Sequence, residues 1–312
     1  MEKFSKVIVT GGAGFIGSWL VRELLSRDYL VVVLDNFFSG SIENLRGLYG
    51  EGELEVVKGD VRDKSIIRRI MSGAEAVVHL AALINVERSV VDPLETHDVN
   101  VNGTLNVLEE AAKAGVRRFI FASSSSVYGD ENLLPLKEEY PLYPSSPYAA
   151  SKASAEGYCR AFNKCYGLGT VVLRYFNVYG PRQGKNVYSG VIDRFLQNAL
   201  NGEPLIIYGD GTQTRDFIYI DDVVDATVLA LESDDINGET FNVCTGKPTS
   251  INDLVESIKE IIFKNDLKVV YEKPRKGDIK HNYGEPYRIE KMLGFKPKIT
   301  LKEGLKKLLI NK

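Results

Sequence analysis

The 312-residue sequence has few cysteines and little net charge. Its three cysteines, Cys159, Cys165 and Cys244, are odd in number and lack the spacing of metal ligands. They therefore predict free thiols and exclude a disulfide-stapled fold, and we expect no metal site. The 39 basic and 42 acidic residues give a net charge of −3, which argues against a non-specific grip on nucleic acid.

The sequence also lacks a long apolar run. No apolar stretch approaches the roughly 18 residues that a membrane span requires. Two lysines in Met1–Lys6 precede the apolar run Val7–Thr10, but glycines follow at once, so we expect neither a signal peptide nor a membrane segment. Together with free thiols, these features predict a soluble cytoplasmic protein.

Short β-branched runs alternate with amphipathic windows over the first 180 residues. The predicted strands are Lys6–Thr10, Leu30–Leu34, Leu54–Lys58, Ala76–Leu80, Arg118–Ala122 and Thr170–Leu173. Windows such as Ile16–Ser26 and Thr104–Ala114 carry apolar residues three and four positions apart, as helices do. The pattern predicts an α/β fold, a Rossmann-type doubly wound parallel sheet covered on both faces.

The composition of the sequence changes after Gly180, where glycine and proline become frequent. Helices are predicted over Ser189–Leu200, Ile251–Phe263 and Leu301–Leu309, with short strands between them and a turn-rich loop at Pro274–Gly277. We expect a smaller C-terminal α/β domain here, facing the substrate.

A glycine-rich turn, Gly11-Gly12-Ala13-Gly14-Phe15-Ile16-Gly17, joins the first predicted strand to the first helix. Glycines at positions 11, 14 and 17 form a variant of the dinucleotide-binding fingerprint. Gly11 would make the tight turn, Gly14 would let the backbone approach a pyrophosphate, and Gly17 would allow close packing of helix on strand. The helix N-terminus would supply N–H groups to the phosphates, although such a turn can also be purely structural.

An acidic residue, Asp35, ends the second predicted strand 24 residues after Gly11. Its carboxylate could accept hydrogen bonds from the adenosine ribose and would repel a 2′-phosphate, so we predict NAD and not NADP. The residues expected to bind this cofactor are Gly11, Gly14, Phe15, Ile16, Gly17, Asp35, Asn36, Asp60, Val61, Leu80, Ala81, Ala82, Ser123, Tyr148 and Lys152.

A serine-rich strand end and a Tyr-x-x-x-Lys motif supply candidate catalytic groups. Ser124 follows the fifth predicted strand, and Tyr148 comes 24 residues later, four positions before Lys152. Tyrosine and lysine at this spacing share one helix face, where an ammonium and a cationic nicotinamide would lower the pKa of the phenol. We therefore predict that Tyr148 is a general acid/base for a substrate hydroxyl and that Ser124 binds the same oxygen.

The sequence resembles the extended short-chain dehydrogenase/reductase family over essentially its whole length, and within it the UDP-sugar 4-epimerases. The matching segments are TGGAGFIGS at 10–18, DN at 35–36, GDVRD at 59–63, HLAA at 79–82, NVNGT at 100–104, SSSSVYGD at 123–130, YAASK at 148–152, RYFNVYGPRQ at 174–183, TRDFIYIDD at 214–222 and RKGD at 275–278.

This resemblance implies further site residues and a domain division. It adds Asn100, Tyr175 and Phe176 to the cofactor site, and it implies a UDP-sugar site that includes Ser124, Ser125, Tyr148, Asn177, Val191, Leu205, Ile206, Tyr208, Arg215, Arg275, Asp278 and Asn282. It implies an NAD-binding Rossmann domain over 1–176, to which 217–246 returns, and a UDP-sugar-binding domain over 177–312. A homodimer is expected, in which the helix after Asn100 and the helix carrying Lys152 form an intersubunit bundle.

The residues after Ser124 bear on the reaction class. Related 4,6-dehydratases place an Asp-Glu pair there and UDP-glucuronate decarboxylases a glutamate, whereas this chain has Ser125 and Ser126. Neither serine can act as an acid or base near neutral pH, so the resemblance favours NAD-dependent 4-epimerisation through a transient 4-keto sugar. A UDP-sugar decarboxylase or dehydratase and a non-catalytic NAD-dependent sensor remain alternatives.

The choice of sugar rests on one further position. In related epimerases a tyrosine four residues beyond the aspartate that corresponds to Asp278 excludes N-acetylated sugars, and here that position is Asn282. We expect UDP-glucose and UDP-galactose as substrates, with UDP-GlcNAc and UDP-GalNAc also accepted. UDP-glucuronate is a further candidate, although the loop 184–190 offers only Lys185 to a carboxylate.

Overall fold

Strands and helices alternate over the first 175 residues. The computed structural model describes residues 4–48, 53–130, 132–183, 190–264, 266–274 and 279–310. The strands in this part are β1 (Lys6–Thr10), β2 (Leu30–Asp35), β3 (Leu54–Lys58), β4 (Ala76–His79), β5 (Arg118–Ser124) and β6 (Gly169–Tyr175). The helices are α1 (Phe15–Ser26), α2 (Lys64–Met71), α3 (Val86–Val91), α4 (Pro93–His97), α5 (Gly103–Lys113) and α6 (Pro147–Tyr166).

The remaining elements are shorter and more mixed. The strands are β7 (Asn177–Tyr179), β8 (Leu205–Tyr208), β9 (Thr214–Tyr219), β10 (Thr240–Val243), β11 (Pro248–Ser250), β12 (Val269–Glu272) and β13 (His281–Asn282). The helices are α7 (Val191–Asn201), α8 (Ile220–Glu232), α9 (Ile251–Ile262), α10 (Tyr287–Leu293) and α11 (Leu301–Ile310). In the part of the chain that is described, no helix is both long and apolar enough to cross a membrane.

Seven parallel strands form the central sheet, in the order β10-β6-β5-β4-β1-β2-β3. Alternate residues enter opposite hydrophobic layers: Val7 and Val9 of β1 pack on one face, and Ile8 packs on the other. Because both faces are covered by helices, the strands other than the edge strand β3 are almost fully buried, which explains their near-continuous apolar sequence. This is the Rossmann-type doubly wound sheet predicted from the sequence.

The C-terminal strands form two small sheets beside this one. Strand β9 pairs with β7, β11 and β13, and β8 pairs with β12. Strand β10 lies in the large sheet next to β6, and α8 packs against α1, so this part of the sequence joins the dinucleotide-binding layer. The predicted domain boundaries at 176 and 177 stay a prediction.

Strand β5 runs two residues further than the sequence pattern predicts. Ser123 and Ser124 are polar, but they pair in register with Arg174 and Tyr175 of β6, which carries the strand to Ser124. The additional residues place Ser124 at the junction between the strand and the 3₁₀ turn Ser125–Tyr128.

A buried ion pair holds α6 against the ends of β5 and β6. Arg174 Nη2 lies 2.7 Å from Glu156 Oε2, and the two side chains are only 6% and 8% exposed. The hydroxyl of Ser123 donates to the same carboxylate, and Arg174 Nη1 donates to the Tyr128 hydroxyl at 2.8 Å. These bonds join α6, β5 and β6 behind the residues at the sheet edge.

We expect Glu156→Gln to lower the free energy of unfolding by about 3–5 kcal/mol, because it leaves the Arg174 charge buried and uncompensated. Urea denaturation of the purified variants measures the change. A matched control is Glu109→Gln, which breaks contacts of Lys64 and Lys113 with a half-exposed carboxylate and should cost about 1 kcal/mol or less. Equal losses in the two variants would contradict a special role for the buried pair.

Candidate active site

A cleft of about 460 Å³ lies at the edge of the sheet where the carboxyl ends of β1, β2, β4, β5 and β6 meet. Most of the residues predicted to bind cofactor line this cleft. They are Gly11, Gly14, Phe15, Ile16, Gly17, Asp35, Asn36, Val61, Leu80, Ala81, Ala82, Ser123, Tyr148, Lys152, Tyr175 and Phe176, and the predicted substrate residues Ser124, Asn177 and Val191 join them.

The glycines of the first turn are required by close backbone contacts. Gly11 has a φ of +71°, and a Cβ there would lie 2.8 Å from the Ala81 backbone nitrogen. A Cβ at Gly17 would lie 2.2 Å from the carbonyl oxygen of Gly11, so only glycine lets α1 approach β1 this closely. Gly14 caps α1 without any side-chain hydrogen bond. This geometry suits a diphosphate held against the helix N-terminus.

The carboxylate of Asp35 is fixed by the backbone at the end of β2. It accepts hydrogen bonds from the N–H groups of Ala13 at 2.9 Å and Phe37 at 2.8 Å. Burial raises the pKa of Asp35 above its ordinary value, and these two hydrogen bonds oppose the shift. Each oxygen keeps a second lone pair that a ribose hydroxyl can use, so Asp35 fits its predicted role.

Asp60 does not line the cleft, although the sequence predicts that it binds the cofactor. Its two carboxylate oxygens accept hydrogen bonds from Arg62 at 2.9 Å, and it also accepts one from Asn36. The Arg62 guanidinium lowers the pKa of Asp60 to about 2. Val61 and Arg62 line the cleft in its place.

Asn100 is buried behind the wall of the cleft and does not face it. Its side chain accepts from the Leu83 N–H at 2.7 Å and donates to the Leu83 carbonyl at 2.9 Å and to Ser151 Oγ at 3.0 Å. The residue therefore fixes the cleft-lining segment around Leu83 against α6, a supporting position where the sequence resemblance implied a lining one.

Ser124, Tyr148 and Lys152 converge on the cleft from β5 and α6. Helix α6 begins at Pro147, and its N-cap Ser146 accepts a hydrogen bond from the Ala149 N–H at 3.1 Å. This cap fixes the start of the helix and so places Tyr148 in its first turn. Ser124 Oγ accepts from the hydroxyl of Ser126 at 3.0 Å. The hydrogen bond between the Ser124 and Tyr148 side chains opposes the rise that burial causes in the Tyr148 pKa.

Burial acts on the pKa values of both Tyr148 and Lys152 in the protein without cofactor. Burial raises the pKa of Tyr148 above the ordinary value, while the hydrogen bond with Ser124 lowers it. Lys152 donates to the Ala122 carbonyl at 2.8 Å, and burial lowers the pKa of its ammonium to about 8. The depression of the Tyr148 pKa predicted from the sequence depends on a cationic nicotinamide as well as on Lys152, and it stays a prediction.

A second cavity of about 200 Å³ adjoins the cleft, because Asn177 and Val191 line both. Ile206, Tyr208 and Arg215 line this cavity, as predicted for a nucleotide-sugar site. Leu205, from the same predicted segment, is fully buried in the hydrophobic core.

Ser125 and Asn282 meet behind Ser124. The Ser125 hydroxyl donates to Asn282 Oδ1 at 3.0 Å, and both side chains are buried. Neither lines the cleft or the second cavity. The predicted substrate residues Arg275 and Asp278 lie outside the described residues, as does most of the loop 184–190.

Several cleft and cavity residues were missed by sequence reasoning. They are Phe38, Arg62, Ile84, Glu95 and Gln183 in the cleft, and Arg194 and Gln213 in the second cavity. Arg62 and Gln183 lie within segments that carry the family resemblance, and Phe38 and Ile84 follow such segments closely. Arg194, in contrast, is a charge on an amphipathic helix with no distinguishing motif. Among the described residues, no group of three or more His, Cys, Asp or Glu side chains could hold a metal ion.

A glycine turn for a dinucleotide and a Ser-Tyr-Lys set in one cleft define the class as a nicotinamide-dependent enzyme acting on a hydroxyl group. Residues 7–244 match the NAD dependent epimerase/dehydratase family, and the chain belongs to it. Family membership confirms the resemblance seen in the sequence, the expectation of an enzyme and the choice of NAD.

Curated and solved relatives cover nearly the whole chain. A UDP-glucose 4-epimerase of Mycolicibacterium smegmatis is 40% identical, covering 97% of this chain and 96% of its own. A UDP-glucose 4-epimerase of Thermotoga maritima, solved with UDP-glucose, has a TM-score of 0.93 at 40% identity and covers 98% of both chains. A UDP-N-acetylglucosamine 4-epimerase of Methanobrevibacter ruminantium was solved with UDP-N-acetylmuramic acid. It also has a TM-score of 0.93 at 40% identity, and the match covers 99% of this chain and 98% of that chain.

More distant relatives carry out other reactions. A UDP-N-acetyl-alpha-D-glucosaminuronate decarboxylase of Bacillus cytotoxicus is 33% identical over 97% of this chain and 96% of its own. The relatives of this chain therefore include a decarboxylase as well as epimerases.

We expect Lys152→Met to stabilise the cofactor-free protein near neutral pH. The pKa of Lys152 falls from 10.5 in the unfolded chain to about 8 in the fold, so the unfolded chain binds the proton more tightly. The resulting destabilisation is full below pH 8 and disappears as the pH rises towards 10.5. The advantage of the variant, measured by denaturant unfolding, should shrink over the same range.

The matched control is Lys113→Met. Lys113 is exposed, and its pKa is raised by Glu109, so its stabilising contribution is present below pH 10.5. This variant should be no more stable than the unmodified protein at neutral pH. A stability difference for Lys152→Met that does not change with pH would contradict the assignment of a buried, depressed ammonium.

Proposed function

We propose that the protein catalyses NAD-dependent 4-epimerisation of a UDP-hexose through a transient 4-keto sugar. UDP-glucose and UDP-galactose are the proposed substrates, with UDP-GlcNAc and UDP-GalNAc accepted as well. One observation carries the proposal: Ser124, Tyr148 and Lys152 meet the glycine loop in a single cleft, next to a cavity that can take a nucleotide. The identity of about 40% to 4-epimerases supports it.

The proposed chemistry of the chain is proton transfer at the 4-hydroxyl group of the sugar. Tyr148 accepts this proton, while Ser124 donates a hydrogen bond that stabilises the phenolate. Lys152, held by the Ala122 carbonyl, keeps a positive charge beside the cleft. Bound NAD would supply a hydride acceptor, and its positively charged ring would lower the pKa of Tyr148. The cycle would have no net redox change because the hydride would return from the cofactor to carbon 4 and Tyr148 would return the proton to the oxygen.

The residues that follow Ser124 support epimerisation over elimination. Ser125 is hydrogen-bonded to Asn282, and Ser126 donates to Ser124. Both hydroxyls are thus committed to the structure, and neither can take the place of the acidic residues that a lyase needs. A UDP-sugar decarboxylase or 4,6-dehydratase is the second candidate, favoured only by the relatives of that class.

The second cavity is the proposed site for the UDP part of the substrate. Arg194 and Arg215 bring positive charge to it, and Gln213 and Tyr208 add polar groups. Guanidinium groups recognise phosphate oxygens well, which fits a diphosphate. Asn177 lies between the cavity and the cleft, where it can contact the sugar nucleotide. Glucuronate remains a candidate sugar.

We also propose a homodimer that acts in the cytoplasm. Val90, Val91 and Leu94, on neighbouring turns of α3 and α4, are 63%, 84% and 81% exposed. Helices α3 and α4 both pack on α6, the helix that the family resemblance places in the subunit interface. Burial of this apolar patch against a second copy would stabilise the pair.

Incubation of the purified protein with UDP-galactose and with UDP-GalNAc, in separate reactions without added nucleotide, tests the proposal. Chromatography should show the 4-epimer of at least one sugar, and extraction should release NAD. Conversion of UDP-galactose alone would confine the activity to the simple hexoses. A stable 4-keto product or release of carbon dioxide would replace the epimerase with a lyase.

Tyr148→Phe should lower kcat by about 10²–10⁴-fold, because it removes the group that exchanges a proton with the 4-hydroxyl. NAD content should change little, since the ring remains in place. Tyr166→Phe, at an exposed position on the same helix, is the control and should keep full activity. Near-full activity of Tyr148→Phe would remove Tyr148 from the mechanism.

Asn282→Tyr should lose activity on N-acetylated sugars while it retains UDP-galactose turnover. The buried Asn282 backs Ser125, so a larger ring there displaces the wall beside Ser124 and narrows the sugar site. Asn282→Ser keeps the site wide and should convert both substrates. Equal loss of both activities in Asn282→Tyr, with the fold intact by circular dichroism, would refute the proposal that position 282 selects between the two kinds of sugar.

A further inference from the structure

A side-chain bridge crosses the cofactor cleft from the loop after β2 to helices α3 and α4. The guanidinium carbon of Arg88 lies 4.7 Å from the centre of the Phe38 ring. The same guanidinium donates to Glu95 Oε2 from Nη2 at 2.6 Å and from Nε at 3.2 Å. Phe38 and Glu95 both line the cleft, so the bridge joins two sides of the cleft.

The sheet order shows what lies under this bridge. Strand β1 lies between β2 and β4, and Phe38 follows β2 whereas Arg88 follows β4. A contact between the two residues must therefore pass the carboxyl end of β1, where the glycine loop 11–17 is placed to hold a diphosphate.

Local hydrogen bonds fix each end of the bridge. Phe37 adopts a left-handed backbone with φ of +59°, which turns the chain and sends Phe38 outward, and the Phe38 N–H donates to Asn36 Oδ1 at 3.0 Å. On the other side, Asn85 accepts from the Arg88 N–H at 2.7 Å. The Glu95 N–H donates to Asp92 at 2.9 Å. These contacts position the partners before any ligand binds.

Packing in the core does not account for Phe38. Its side chain is 48% exposed, a large apolar surface kept at the mouth of a cleft. The charges of Arg88 and Glu95 are opposite and paired, so the bridge adds the Phe38 ring and an ion pair to the cleft without adding net charge.

We propose that Phe38, Arg88 and Glu95 form a cover that retains NAD in the cleft from one turnover to the next. The inference rests on the proposed function, because a cycle without net redox change returns NAD to its starting state and never requires its release. A cover that slows dissociation then has no catalytic cost, whereas a dehydrogenase that exchanges its cofactor would be slowed by it.

The dissociation rate of NAD from the purified holoenzyme tests the cover directly. Released NAD can be trapped by excess alcohol dehydrogenase and ethanol, and the NADH formed followed by fluorescence. Phe38→Ala and Arg88→Met should each accelerate release by about two- to tenfold, the range expected for a cation–π contact at a partly exposed site. Phe38→Tyr, which keeps an aromatic face, should release NAD at the rate of the unmodified protein.

The double variant Phe38→Ala/Arg88→Met separates a bridge from two unrelated effects. If the two side chains act together, the double variant should release NAD no faster than the faster single variant. Leu133→Ala, an exposed apolar position away from the cleft, is the control for surface truncation and should leave the rate unchanged.

Unchanged release in both single variants, or effects that multiply in the double variant, would overturn the cover. These results leave the proposed function intact, because the unmodified protein would still carry NAD and convert its sugar. Absence of NAD from the unmodified protein would instead overturn the proposed function and the cover together.

Discussion

The buried ion pair of Glu156 and Arg174 is the interaction on which the site depends. It ties α6, which carries Tyr148 and Lys152, to β6, and through Ser123 it reaches the strand end that presents Ser124. The burial of these two charges is tolerated because the carboxylate of Glu156 and the guanidinium group of Arg174 each make several hydrogen bonds. The site is thus built on rigid elements, with its proton-transfer groups on a helix and a strand fixed to one another.

Burial sets the protonation of the site in the protein without cofactor. In the protein alone, the low-polarity surroundings favour neutral Tyr148 and weaken the proton affinity of Lys152. A positive nicotinamide ring would reverse the first effect at the place where a phenolate is needed. The proposed enzyme therefore couples proton transfer to the presence of its cofactor, and the cover formed by Phe38 and Arg88 would keep that state from one turnover to the next.

The fold and the centre of the site could be predicted from sequence because their signals are local. Apolar strand periodicity, the glycine turn and the Tyr148–Lys152 spacing each reflect contacts within a few residues. Asp60 was predicted to bind the cofactor from its position after the third strand and Asn100 from the family resemblance, but both side chains pair elsewhere. The Asn282 contact with Ser125 and the bridge from Phe38 to Arg88 join residues far apart in the chain, which no local pattern reveals.

The central claim is that hydrogen leaves carbon 4 of the sugar as a hydride and returns to the same carbon. UDP-galactose carrying deuterium at carbon 4 tests this most directly, with the purified protein and no added nucleotide. We predict that NMR of the UDP-glucose product will show the deuterium retained at carbon 4. Replacement of the deuterium by hydrogen from solvent water would contradict the account, because it would mean that carbon 4 loses a proton and not a hydride.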